Sequence, residues 1–112
     1  MHDLAGQIVD EAGWAGSVLW ICTVDDFSVH LYDAPIELNG STISIGDSAV
    51  ALLAKRAIRT VVADERGFFV EFQEGGQVGV PGYNHETARI FRRGDLDSHY
   101  LYVEGRIHED RG

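Results

Sequence analysis

The side chains that could carry chemistry are scattered along this chain of 112 residues. Histidines stand at positions 2, 30, 85, 99 and 108, without the i, i+4 spacing on a helix or the short clusters typical of metal ligands. His85 and Glu86 could form an acid/base pair, but adjacent residues of a strand point to opposite faces of its sheet. We therefore expect no metal site and no cofactor.

Three pairs of carboxylates could serve hydrolysis or bind Ca²⁺: Asp25-Asp26, Asp64-Glu65, and Asp95 with Asp97. Each pair falls in a predicted turn, where aspartate is favoured because its side chain bonds the local backbone. No serine occupies a nucleophile elbow, and Cys22 lies in an apolar run that we expect to be buried. These patterns predict a protein that is not an enzyme.

Cys22 is the only cysteine, which excludes an intramolecular disulfide and favours a reducing compartment, so we expect a cytoplasmic protein. The first twenty residues contain no Lys or Arg, and the longest apolar run, Ala49 to Ala54, is too short to cross a bilayer. Neither a signal peptide nor a membrane span is therefore expected. The length and the apolar fraction of 45% are typical of one globular domain, here residues 1 to 112.

The net charge of −9 is unevenly distributed along the chain. Residues 1 to 54 contain eight acidic residues and no Lys or Arg, whereas residues 55 to 112 contain ten acidic and nine basic residues. Because an acidic chain repels nucleic-acid phosphates, nucleic-acid binding is not expected. An acidic surface can instead steer a basic protein partner, although solubility alone would explain the same charge.

Seven residues are candidates for a protein-binding surface. Four are carboxylates of the acidic half, at or beside two neighbouring predicted turns: Asp25, Asp26, Asp33 and Glu37. Tyr32, Tyr100 and Tyr102 join them because a tyrosine ring buries much area while its hydroxyl keeps a polar contact. Tyr100 and Tyr102 share one strand face, which is either an outer binding strip or part of the core.

The spacing of apolar residues predicts an α+β fold, with a mainly antiparallel meandering sheet, an N-terminal helix and a short central helix. Leu4, Ile8 and Ala12 recur every four residues and predict the first helix over Asp3 to Trp14. Alternation and turn residues predict the strands. We place them at residues 17–23, 27–31, 36–38, 42–45, 58–63, 68–72, 78–80 and 99–103, with a hairpin turn at Asn39-Gly40 and a frayed end from His108.

The central helix is predicted from Ala49 to Arg56, after an N-cap signal in residues 46 to 48 and with its cations in the last turn. A sequence echo suggests that two related meanders flank it. In this echo Phe27 to Leu31 aligns with Phe68 to Phe72, and residues 36–40 then match residues 78–82. Two amphipathic hairpins resemble each other without duplication, so that explanation stays open. Phe68, Val70 and Phe72 are predicted to share a packed face across from the helix.

The segment Phe68 to Gly82, with its Val-Gly-Val-Pro close, resembles small uncharacterised bacterial domains, some of which occur near polymorphic toxins. The short acidic chain is also similar to toxin immunity proteins in general. The resemblance covers residues 17 to 82 and transfers no functional residue. It implies a non-enzymatic immunity protein that neutralises a basic toxin through an acidic surface. The alternative is a small-ligand-binding or structural module, in which a homodimer uses an exposed sheet edge or the Tyr100 and Tyr102 strip.

Overall fold

Two antiparallel sheets pack against each other around one core. The computed structural model describes residues 4–92, 95–103 and 105–110. This part of the chain forms eleven strands: β1 Val9–Ala15, β2 Val18–Thr23, β3 Phe27–Leu31, β4 Ile36–Leu38, β5 Ser41–Ile43, β6 Ile58–Asp64, β7 Gly67–Phe72, β8 Gln77–Pro81, β9 Ala88–Arg92, β10 Asp95–Val103 and β11 Arg106–Asp110. The six-stranded sheet has the order β1-β2-β3-β9-β10-β11, and the five-stranded sheet has the order β5-β4-β8-β7-β6.

The predicted α+β class is wrong, because the described chain is all-β and its predicted N-terminal helix is replaced by β1. A β-bulge shifts the register of β1 between Val9 and Glu11. Val9 and Ala12 therefore both face the core, three residues apart, and the period of two that marks a strand is lost. The four-residue spacing does not mark one face either, since Leu4 is buried whereas Ile8 is 48% exposed.

The predicted central helix is also wrong in type and length. A 3-10 helix, Ser48–Leu53, stands in its place and packs on β1. Asp47, one of the three residues of the predicted N-cap signal, caps it, with Oδ1 accepting a hydrogen bond from the Ala49 N–H at 2.9 Å. The helix ends before Lys55, whose φ is 71°, and the predicted last-turn cations lie beyond it. The chain from Lys55 onward pairs instead with residues 6–9, which include the first residue of β1.

The hairpins predicted for the first half are confirmed. β2 pairs with β3, and β4 pairs with β5 across the turn Asn39-Gly40. The φ angles of Asn39 and Gly40 are 53° and 86°, which is the type I′ geometry that this dipeptide favours. Asn39 also ties the turn to β8, because its Oδ1 accepts a hydrogen bond from the Gln77 N–H at 2.9 Å.

The shared face predicted for β7 is confirmed as well. Phe68, Val70 and Phe72 are each at most 2% exposed. From the opposite sheet, Leu19 and Ile21 of β2 complete the same apolar cluster and are fully buried. Alternate residues of both strands therefore supply the core.

The last third of the chain contains more strand than the sequence predicted. The polar residues before His99, where no strand was predicted, include β9 and the start of β10. The end predicted to be frayed is instead β11, which continues to Asp110. The predicted strand over His99 to Val103 is confirmed as part of β10. Within the described ranges, no helix has the length and apolar character needed to cross a membrane.

The two halves of the chain repeat one topology. β1, β2 and β3 form a meander in the six-stranded sheet, after which the chain crosses to the five-stranded sheet as β4 and β5. β6, β7 and β8 form a meander in the five-stranded sheet, after which the chain crosses back as β9 and β10. We call β1 to β5 the first repeat and β6 to β10 the second repeat.

The meanders match residue by residue. Every pair of β1–β2 and β2–β3 recurs 49 positions later in β6–β7 and β7–β8. For example, Val9 opposite Thr23 becomes Ile58 opposite Phe72, and Leu19 opposite Leu31 becomes Phe68 opposite Val80. The β1 bulge recurs at the start of β6, where the register shifts between Ile58 and Thr60. The two repeats are therefore related by a pseudo-twofold arrangement.

The repeats join through a short ladder in which Ile8 bridges Ala57. The Val9 N–H donates to the Arg56 carbonyl at 2.9 Å, and the Ile58 N–H donates to the Gln7 carbonyl at 2.8 Å. Replacing each residue by its equivalent in the other repeat converts each of these two bonds into the other. The pseudo-twofold axis therefore passes between Ile8 and Ala57.

The sequence echo does not match the structural repeat, because it aligns strands that are displaced by one. It aligned Phe27–Leu31 with Phe68–Phe72, that is, β3 with β7, whereas the pairing makes β3 equivalent to β8. Both β3 and β7 alternate apolar and polar residues, so their patterns agree without the strands being equivalent.

Candidate functional site

Two apolar side chains stand side by side on the surface near the junction of the repeats. Ile8 is 48% exposed and Val24 is 61% exposed. The Val24 N–H donates to the Ile8 carbonyl at 2.9 Å, so the two residues lie opposite each other on neighbouring segments. Val9 and Thr23, next to them in the chain, are fully buried, which places Ile8 and Val24 on the outer side. A partner could contact this pair without any change in the fold.

Four exposed carboxylates frame this apolar pair. Asp25 and Asp26 follow Val24 in the β2–β3 turn, and Asp10 and Glu11 stand in the bulged start of β1. All six residues belong to the part of the chain that lacks Lys and Arg. We call Ile8, Val24, Asp10, Glu11, Asp25 and Asp26 the Ile8–Val24 patch.

The β2–β3 turn holds its two aspartates in a defined position. The Thr23 carbonyl accepts a hydrogen bond from the Asp26 N–H at 3.1 Å, and Thr23 Oγ1 accepts one from the Phe27 N–H at 3.1 Å. Asp26 has a φ of 71°, a left-handed conformation that aspartate tolerates better than most residues. Asp25 therefore lies in a turn whose backbone is held by these hydrogen bonds.

Comparison with the second repeat shows that no cation on the neighbouring strand pairs with Asp10 of the patch. Asp10 is equivalent to Arg59, whose Nη2 pairs across the strands with Glu71 Oε1 at 2.5 Å. The residue equivalent to Glu71 is Cys22, so Asp10 faces no cation on β2. Asp10, Glu11 and Asp25 make no ion pair within the described ranges. Lys55 borders the patch, since its N–H donates to the Val9 carbonyl at 2.7 Å.

The four predicted carboxylates do not converge. Asp25 and Asp26 lie before β3, whereas Asp33 follows the other end of that strand. Glu37 lies on β4 in the five-stranded sheet, on its outer face opposite Gly79. Two of the four therefore belong to the patch, and the other two lie elsewhere.

Asp33 lines a separate cleft of about 450 Å³ between the edges β1 and β5. Trp14, Ile43 and Ile45 supply its apolar wall. The Trp14 indole N–H donates to the Asp47 carbonyl at 3.0 Å, which holds the ring in place. We call this feature the Trp14 cleft.

Tyr32 stands in a half-buried cluster of charged side chains. Arg89 Nη2 pairs with Glu86 Oε1 at 3.1 Å. Burial, followed by the neighbouring Glu86 carboxylate, raises the pKa of the Tyr32 phenol. His30 lies opposite Arg89 on the outer face, where burial and then the Arg89 charge lower the pKa of the imidazole. Arg89 and Glu86 thus pair with each other, whereas the buried Tyr32 hydroxyl and Arg89 Nε have no hydrogen-bond partner among the described residues.

Tyr100 and Tyr102 face the interior. Tyr102 is fully buried, and its hydroxyl donates a hydrogen bond to the Asp64 carbonyl at the end of β6. Its ring lies 5.8 Å from that of Phe68. Tyr100 is half-buried and packs against the same core. Of the two predicted alternatives for these tyrosines, the structure shows the core position.

His85 and Glu86, the candidate acid/base pair, contact different residues. His85 stacks on Tyr83 with ring centroids 5.4 Å apart, and its Nε2 lies 3.0 Å from the Asp33 carbonyl oxygen, whereas Glu86 pairs with Arg89. Across the described residues, no three His, Cys, Asp or Glu side chains are grouped so that they could hold a metal ion.

Sequence reasoning missed four of the six residues of the patch: Ile8, Asp10, Glu11 and Val24. Val24 carried a signal, because it is an apolar residue in a turn where polar residues are favoured. Ile8, Asp10 and Glu11 were assigned to a helix, which concealed both the strand pairing that puts Ile8 on the outer side and the bulge between Val9 and Glu11.

No family model, curated protein or solved structure matches this chain.

Proposed function

We propose that this chain is a non-enzymatic, cytoplasmic domain that binds a basic protein partner at the Ile8–Val24 patch. The observation that carries the proposal is the exposed pair Ile8 and Val24, framed by carboxylates of which Asp10 faces no cation on β2. Interfaces combine an apolar centre with a polar rim, and this patch has that composition.

Binding would proceed in two steps. The carboxylates attract a basic surface over a Debye length of about 10 Å at 0.1 M salt, which speeds encounter. Ile8 and Val24 then lose their contact with water, which contributes roughly 25 cal/mol for each Å² of apolar surface that is buried. The first step sets the association rate and its salt dependence, and the second lowers the dissociation rate.

The partner that we propose is a basic toxin domain, which makes the chain an immunity protein. Enzymes that act on nucleic acids carry basic surfaces that hold phosphates. An acidic domain seated on such a surface would keep the substrate out. It would need no catalytic group of its own.

The test begins with affinity capture and continues with kinetics. The tagged wild-type domain and the double variant Asp10→Asn/Asp25→Asn are used to capture proteins from the source cells. A partner retained by the wild type is then purified, and its association rate with each domain is measured across ionic strength. We expect a basic partner whose association slows several-fold in the variant at low salt and converges with the wild type at high salt.

Two carboxylates outside the patch supply a matched control. Glu37→Gln/Glu65→Gln changes the net charge by the same amount, on the outer face of the five-stranded sheet and in the β6–β7 turn. Equal slowing in both double variants would show that net charge alone acts, and the patch would lose its role. A partner that is acidic, or whose toxicity is not relieved by co-expression of the wild-type domain, would contradict the immunity function.

A further inference from the structure

The two repeats diverge after their last common strand. β5 and β10 are equivalent, because each is the hairpin partner of the strand that crosses to the other sheet. β5 leads into a turn around Gly46, with a φ of 85°, and β10 leads into a turn around Gly105, with a φ of 81°. After Gly105 the chain returns as β11, antiparallel to β10. After Gly46 it forms the 3-10 helix, which packs on β1 instead.

β5 is consequently an edge strand, whereas β10 is paired on both sides. In the second repeat, Ile107 of β11 lies opposite Tyr102 and packs against the core. Tyr102 is equivalent to Ile43, since they lie opposite Ala88 and Ile36, the matching first residues of β9 and β4. The place beside Ile43 therefore corresponds to one that an apolar side chain of a strand fills in the second repeat.

The Trp14 cleft lies at this place. Trp14, Ile43 and Ile45 supply its apolar wall, and Ile45 is 66% exposed. Asp33, an exposed residue on the same lining, adds a carboxylate. The cleft thus combines an apolar wall with one negative charge, and it lies beside an edge strand.

The backbone of β5 is arranged to accept a strand. In a two-residue hairpin the residues next to the turn, here Leu38 and Ser41, exchange backbone hydrogen bonds. The following pair, Glu37 and Thr42, does not exchange them, so the Thr42 N–H and carbonyl point to the free edge. Thr42 is exposed. An added strand could therefore form two backbone hydrogen bonds with Thr42, one to its N–H and one to its carbonyl.

We propose that β5 accepts an extended segment of a partner protein by strand addition, antiparallel to β5 as β11 is to β10. The segment places an apolar side chain opposite Ile43 in the Trp14 cleft and a Lys or Arg beside Asp33. A second copy of this chain fits less well. Antiparallel self-pairing centred on Thr42 would set Ser41 of that copy opposite Ile43 and leave the cleft without an apolar side chain. Self-pairing centred on Ile43 would need the Ser44 carbonyl, which already accepts a hydrogen bond from the Asp47 N–H at 3.0 Å.

The experiment selects ligands and then removes one backbone donor. A random nonapeptide library displayed on phage is selected on the wild-type domain, and the enriched peptides are synthesised with a fluorescein label. Their affinities are measured by fluorescence polarisation for the wild type, Thr42→Pro and Thr42→Val. Proline removes the outward N–H and is tolerated on an edge strand, whereas valine keeps the N–H.

We expect enriched peptides that alternate apolar residues and carry Lys or Arg. Thr42→Pro should weaken binding about tenfold or more and Thr42→Val less than about twofold, because strand addition depends on main-chain bonds. Asp33→Asn should weaken binding several-fold. If Thr42→Pro does not fold, the same peptides methylated on single backbone nitrogens are titrated against the wild type, and methylation of nitrogens facing β5 should abolish binding.

Three results would overturn this proposal: no enriched peptide, equal affinity for Thr42→Pro and Thr42→Val, or equal affinity for methylated and unmethylated peptides. Self-association of the free domain that Thr42→Pro abolishes would overturn it too, since the edge would then serve a second copy. None of these results concerns the Ile8–Val24 patch, whose own variants leave β5 unchanged.

Discussion

The indole ring of Trp20 on β2 lies against Gly13 on the neighbouring strand β1. A Cβ placed on Gly13 would come within 2.8 Å of Trp20 Cζ2. In the second repeat Phe69, equivalent to Trp20, lies against a glycine on the strand to its other side, Gly79 of β8, and a Cβ there would come within 2.5 Å of Phe69 Cδ1. Each outer face therefore carries an aromatic ring that covers a glycine, a recognised way of stabilising glycine within a sheet.

These two glycines should respond differently to alanine. At Gly79 the new methyl group would also meet the Phe68 carbonyl oxygen, which is backbone and cannot move aside, whereas at Gly13 its three nearest atoms all belong to the Trp20 ring. We expect Gly79→Ala to lower the free energy of unfolding by about 3 kcal/mol or more and Gly13→Ala by about 1 kcal/mol. Urea denaturation of both variants measures the difference, and equal losses would contradict the packing described.

The hydrogen bond from the Tyr102 hydroxyl should contribute measurably to the free energy of unfolding. Tyr102→Phe leaves the Asp64 carbonyl without its buried donor, and we expect a loss of about 1 to 2 kcal/mol in the free energy of unfolding. Tyr83→Phe is the control, because Tyr83 is 42% exposed and its hydroxyl can bond water. A loss at Tyr83 as large as that at Tyr102 would show that the hydrogen bond is not the cause.

His30 should make the domain less stable in mild acid. Burial, and then the Arg89 charge, lower the pKa of His30 below 6.5 in the folded state. The unfolded chain therefore binds more protons as the pH falls through 6.5, and stability is lost until the folded pKa is passed. His30→Gln should lose less stability than the wild type between about pH 7 and pH 5.

Proton NMR of the His30 ring tests the same assignment directly. We expect a pKa below 6.5 in the wild type and a higher pKa in Arg89→Gln, in which one of the two causes is removed. A wild-type pKa at or above 6.5 would contradict the burial of His30 on this sheet face.

Gly6 and Lys55 occupy equivalent left-handed positions, with φ of 84° and 71°. A Cβ on Gly6 would meet no atom within 4 Å, so Gly6→Ala tests the backbone conformation alone, and we expect a loss of about 1 kcal/mol. Lys55→Gly should stabilise the domain by up to about 1 kcal/mol because it relieves the same conformation. Lys55→Ala removes the charge but keeps the conformation, so a gain there would attribute the effect to charge instead.

The sequence by itself determined the local features. Asn39-Gly40 specified its hairpin because both residues readily adopt a positive φ. Phe68, Val70 and Phe72 specified one buried face because alternate residues of a strand point the same way. Asp25 and Asp26 were correctly placed in an exposed turn for the same kind of reason, since turn chemistry depends on a few adjacent residues.

Only the tertiary structure decided the fold class and the composition of the candidate site. The bulge of β1 arises in its pairing with β2, and the chain after the 3-10 helix pairs with a segment 49 residues away. These pairings outweigh the helical spacing of Leu4, Ile8 and Ala12. The crossing from β3 to β4 separates Glu37 from the other predicted carboxylates. Period-two alternation says that residues share a face without saying which face is inside. The packing of one sheet on the other made that choice, placing Tyr102 in the core and Ile8 on the surface.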